Sequence, residues 1–135
     1  MAALAADRNT PRAEGEVEGH PVKGATRIFA GALVCLDAAG WAVPGATAAT
    51  LTALGRAEAG ANNAAGTNGD VLANVRRGTF RWGNSAAGDA ITRADIGKPA
   101  YVVDDQTVAK TTGGATRSLA GTIRNVDAQG VWVES

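Results

Sequence analysis

The chain has 135 residues, with 13 Lys+Arg against 13 Asp+Glu. That balance argues against bulk attraction to nucleic acid or anionic membrane, and 4% aromatic residues leave few platforms for stacking bases or sugars. The length fits one domain with a single core.

Residues 1–20 are polar and mixed in sign, with almost nothing to bury. They are expected to form a flexible N-terminal arm, and residues 21–135 a single β domain. Such an arm is either a frayed terminus or a segment that orders against a partner, for example by adding a strand to a sheet edge. The first residues lack a basic region followed by a long apolar stretch, so no signal peptide is expected. No apolar run approaches the ~20 residues of a membrane-spanning helix. The chain is expected to be made in a cytoplasm, or assembled into something there.

From Pro21 onward the pattern is β. Residues 22–29 read as a strand interrupted by Gly24, and 32–36 as a second strand. A turn follows, then Trp41, Ala42 and Val43, with Pro44-Gly45 ending that strand. Residues 51–58 read as another strand, because Gly55 and the threonines weaken a helix. Residues 59–69 read as the clearest loop, closed by the turn pair Asn68-Gly69. Residues 70–82 are the longest strand candidate. Val71, Ala73 and Val75 share one face there, whereas Phe80 and Trp82 lie on the opposite phase. The change of phase at Gly78 predicts a bulge or sharp bend. Thr92 is expected to cap a short helical turn that Gly97 ends. Two hairpins close the chain, over 101–110 and 119–133.

One phrase recurs. Residues 36–43 read Leu-Asp-Ala-Ala-Gly-Trp-Ala-Val and residues 126–133 read Val-Asp-Ala-Gln-Gly-Val-Trp-Val. Residues 103–108 keep the Asp and the flanking valines without the Gly. Asp opens such a turn by accepting backbone N–H bonds, and Gly closes it where positive φ is needed. The copies are irregularly spaced, so they mark hairpins and not a solenoid. The fold expected is all-β, a compact β-barrel or β-sandwich of short hairpins with an extended N-terminal arm and little helix. With 18 glycines and many alanines the core is expected to be thin, which favours oligomerisation.

No catalytic signature appears, and no cofactor or metal is expected. His20 is the single histidine and lies in a polar stretch, away from any serine motif. Cys35 is the single cysteine and reads as a small buried hydrophobe. One Cys and one His do not make a structural zinc site. Asp104 and Asp105, or Asp70 with Asn62, Asn63 and Asn68, lack EF-hand spacing and read as turn residues. The Gly-rich run 112–116 has no Walker lysine. Arg76, Arg77 and Arg81 sit near Phe80 and Trp82. Arg76, Arg81 and Trp82 are candidates for a protein contact, since Arg and Trp anchor interfaces, with plain strand packing as the alternative.

Several stretches, taken in order, resemble one family. They are Ala6-Asp7-Arg8-Asn9-Thr10-Pro11-Arg12, residues 28–34, residues 84–86 with 89–92, Asp95-Ile96-Gly97-Lys98-Pro99, residues 101–111 and residues 124–133. Together they cover nearly the whole chain, and it resembles the small capsid cement, or head decoration, proteins of tailed bacteriophages. The resemblance implies a non-enzymatic structural protein of the virion, assembled in the bacterial cytoplasm and placed on the capsid surface. It implies the major capsid protein as partner, self-association as a homotrimer on the shell, and no direct contact with nucleic acid or membrane. Asp7, Arg8, Asn9, Thr10, Pro11 and Arg12 would then be capsid-contacting arm residues. Two rival readings stand beside it. A β-barrel binding module for glycan or nucleic acid needs converging aromatics, and a small β-barrel hydrolase needs a convergent polar pocket.

Overall fold

The structure, a computed structural model, describes residues 2–9 and 15–135. Strands make up 44% of it and helix 5%, so the fold is all-β. Of the two architectures considered from sequence, barrel and sandwich, the barrel is present as a small closed one of five strands, beside an open sheet and a two-stranded pair.

The open sheet holds β1 (Val17–Pro21), β3 (Leu33–Leu36), β4 (Ala42–Pro44), β5 (Thr52–Ala57) and β7 (Leu72–Arg76), in the spatial order β1-β7-β5-β3-β4. All its pairings are antiparallel. Two short strands, β2 (Thr26–Ile28) and β6 (Ala61–Asn63), form a separate pair. The barrel is built from β8 (Thr79–Asn84), β9 (Pro99–Val102), β10 (Thr107–Ala109), β11 (Leu119–Asp127) and β12 (Gly130–Glu134), and closes in the order β10-β8-β12-β11-β9. Only the β8–β10 pairing in it is parallel.

The repeated Asp explains three of the turns. The Oδ1 of Asp37 accepts the N–H groups of Ala39 and Trp41, and Gly40 follows at φ +90°. In the β9–β10 turn, Asp104 accepts from Gln106. Between β11 and β12, Asp127 accepts from Gln129 and Gly130. Thr92 caps the predicted helical turn, which is one 3-10 turn over Arg93–Asp95. The Asp95 carboxylate reaches back to the Thr92 N–H at 2.9 Å, completing a capping box.

Two cores share one wall. Leu33 and Cys35 of β3 point into the barrel, where they meet Trp82, Val102, Val108, Ile123, Val131 and Val133. Val34 points the other way, into a core of Val22, Ile28, Ala42, Ala57, Ala73 and Val75. This explains the unbroken apolar run of β3, which is buried on both faces. The second core is rich in alanine, so each side chain there removes little area from water.

Three readings are corrected. Residues 17–20, expected in the arm, belong to β1, because β7 offers them an antiparallel partner from Val17↔Arg76 to Pro21↔Leu72. The 59–69 loop contains β6. Its Asn63 is buried, and its Nδ2 donates to the carbonyls of Val22, Lys23 and Thr67 at 2.9–3.1 Å. Tertiary anchoring overrides the low strand propensity of Ala-Asn-Asn there. Residues 70–82 are two strands, not one. The chain leaves the open sheet after Arg76 and enters the barrel at Thr79, turning at Gly78 with φ +152°.

Candidate functional site

The feature that faces outward most plainly is the edge made by β1. Arg77 donates its N–H to the Glu16 carbonyl, and Val22 donates to that of Val71. By antiparallel alternation, Glu18 and His20 also direct their backbone groups toward β7. Val17, Gly19 and Pro21 therefore aim their backbone groups away from the sheet. Pro21 has no N–H to offer, but it sits where none is needed by the ladder. Among the described residues no strand pairs with this outer edge.

The sheet face beside the edge is mixed. Val17 is 41% exposed and Leu72 is 61% exposed, and in the β1–β7 register both lie on the same face. Farther in is an ion network. Arg76 pairs with Glu16 at 3.1 Å and Glu58 at 3.2 Å, and Arg56 pairs with Glu58 at 2.7 Å. Hydrogen bonds from Arg56 and Arg76 hold the Glu58 carboxyl below its ordinary range. Arg56 also covers the Phe80 ring, 4.6 Å from its centroid. On β1 and its neighbour, Arg77 meets Glu18 at 3.4 Å and His20 Nε2 lies 3.6 Å from the same carboxylate group.

Of the residues selected from sequence, Arg76 is parted from Arg81 and Trp82, which lie in a different sheet. Asp7, Arg8 and Asn9 lie exposed in the 2–9 segment. Thr10, Pro11 and Arg12 lie outside the described residues. Arg76 belongs to the open sheet and its charge is met by two glutamates. Arg81 is on the barrel, over the Trp132 ring at 5.7 Å. Trp82 is 6% exposed and packs edge-on against Phe80 in the barrel core, with centroids 6.2 Å apart. The turn at Gly78 separates what the sequence presents as one cluster, and Trp82 takes the packing role that was the alternative. Reasoning from sequence missed Val17, Leu72 and Glu58. A hydrophobe opening a polar stretch just before Pro21 was the available sign of an edge strand.

Several groups with conventional chemistry are engaged by the fold. Cys35 is fully buried, and burial pushes its thiol up to about 12. Asp70 accepts from the Thr67 backbone and hydroxyl, and Asn68 accepts from Gly24. Asp89 is bound by the Thr111 hydroxyl and by Arg117, which lower its pKa. Among the described residues no three His, Cys, Asp or Glu side chains converge to hold a metal ion, and no helix is long and apolar enough to cross a membrane.

Compared with family models, curated proteins and solved structures, the chain matches none.

Proposed function

We propose that this chain is a structural virion protein that binds the outside of a tailed-phage capsid and stabilises contacts between major capsid proteins. The arm and the β1 edge are its docking element. The observation that carries this reading is the outward-facing backbone of Val17, Gly19 and Pro21, directly preceded by the exposed Gly15 and Glu16. A strand of a shell subunit can add to such an edge through main-chain hydrogen bonds, while Val17 and Leu72 give it apolar footing. The six ordered stretches that resemble cement proteins support the same reading.

The clamp works by mass action. A protein that binds the assembled lattice, and not the free subunits, shifts the equilibrium toward the shell. Many weak copies act together, most of all if they self-associate as trimers on the shell. No reaction is required of any residue, and the partners are the major capsid protein and further copies of this chain.

The test is DNA retention by heated phage heads, with and without the purified protein. Decorated heads are expected to release DNA at a higher temperature than bare heads. A variant lacking residues 2–14, which keeps β1 intact, is expected to lose occupancy and protection together. Equal release temperatures at saturating protein would remove the cement reading.

A further inference from the structure

The arm opens on an apolar stretch that pairing at the β1 edge does not itself engage, and a hollow lies elsewhere on the surface. Residues 2–6 are an apolar run of Ala-Ala-Leu-Ala-Ala, exposed throughout, with Leu4 75% exposed and Asp7 following. Elsewhere, between β2 with the residues before it and the chain from β4 to Leu51, lies an open hollow of about 460 Å³. Its apolar wall includes Val43, Pro44, Ala48 and Leu51, and Lys23 and Arg27 border it with Asp37. Leu51 also lines an adjoining hollow of about 340 Å³ together with Ala53 and Leu119, and Leu119 is 55% exposed.

The seat is built before anything occupies it. The segment between β4 and β5 is pinned to the barrel by Ser118, whose Oγ donates to the Ala48 carbonyl at 2.6 Å and accepts from the Leu51 N–H at 2.9 Å. Thr47 Oγ1 donates to the Val103 carbonyl at 2.8 Å. A preformed apolar groove loses little freedom when filled. The bordering cations are loosely engaged. Lys23 reaches Asp37 only at 4.0 Å, and Arg27 lies over the exposed Phe29 ring.

We infer that residues 2–7 of a second copy of this chain seat in the hollow, with Leu4 against Leu51 and Asp7 beside Lys23 and Arg27. Charge and polarity match along the segment: its apolar part meets the alanine, valine and leucine wall, and its carboxylate meets the two cations. In the single chain the segment is exposed, so it does not fill the seat of its own copy. Each copy carries one segment and one seat, a head-to-tail contact that closes into a ring when the rotation allows. The contact is between copies alone, so its test needs no capsid and stands or fails apart from the cement reading.

Two full-length variants, Leu4→Cys and Ala46→Cys, are purified separately, mixed and oxidised. Ala46 lines the hollow and is exposed, and the buried Cys35 does not compete for oxidant. The mixture is expected to yield covalent dimer in at least several-fold excess over either variant alone. Adding Lys23→Glu to the Ala46→Cys chain is expected to reduce that excess, and Asp7→Lys on the other chain to restore it. Circular dichroism of each variant confirms that it is folded. Dimer yields in the mixture no higher than in the separate samples would overturn the inference. So would a chain carrying both cysteines that closes only on itself at every dilution, since that places the segment in its own seat.

Discussion

Asp127 shows how one side chain can hold a hairpin. Its Oδ1 caps the turn through Gln129 and Gly130, and its Oδ2 accepts the indole N–H of Trp132 at 3.0 Å. The Trp132 bond, then the Gln129 N–H, hold its pKa below the ordinary 3.8. A carboxylate with a lowered folded pKa contributes stability that is present above its unfolded value and is lost as pH falls through the folded one. Asp127→Asn is therefore expected to lower Tm at pH 7, and the gap from the parent is expected to close as the pH drops below 3.8. Thermal melts from pH 7 to pH 2 check this, and a gap independent of pH would assign the effect to packing alone. Trp82 is a different case. As a core residue, Trp82→Ala is expected to cost about 3–5 kcal/mol of stability. A surface anchor would leave the denaturation midpoint unchanged and weaken only binding. At this scale the sequence was informative where a residue acts on its neighbours. Asp37, Asp104, Asp127 and Thr92 all make the local bonds expected of them. It was not informative about Trp82, whose side of the strand depends on which sheet that strand joins.

Among the elements, β1 and β3 carry the most consequence. β3 is legible as a strand, because four apolar residues in a row suit burial on both faces. Its partners on either face are long-range and left no local trace. β1 reads as arm because Glu18, Gly19 and His20 have poor strand propensity, and only the register with β7 makes it a strand. The split of β7 from β8 was half legible. The phase change at Gly78 announced a bend, but one strand bending and two strands parting give the same local pattern. β1 covers one edge of the sheet whose Ala73 and Val75 are buried. Removing residues 2–14 is expected to leave Tm within about 2 °C of the parent, since a surface change of under ~0.5 kcal/mol shifts Tm little. Removing residues 2–21 is expected to lower it by several degrees and to speed amide exchange in β7. Equal stability of the two truncations would mean that β1 adds nothing to the sheet.

The whole molecule is two β bodies joined through a common strand, each with its own core and one of them alanine-rich. Asp37, Asp104 and Asp127 hold turns, and Cys35 is buried. The molecule's outward features include a sheet edge that pairs with no strand among the described residues, an exposed N-terminal segment and an apolar hollow bordered by cations. The proposal of a capsid cement follows from that surface together with the ordered resemblance along the chain. The most direct measurement is co-sedimentation of the purified protein with expanded, undecorated heads of the tailed phage to which the proposal assigns it, counting bound copies per major capsid protein. The account predicts saturable binding near one copy per capsid subunit. Absence of binding by folded protein would contradict it and favour a β-barrel binding module for glycan or nucleic acid.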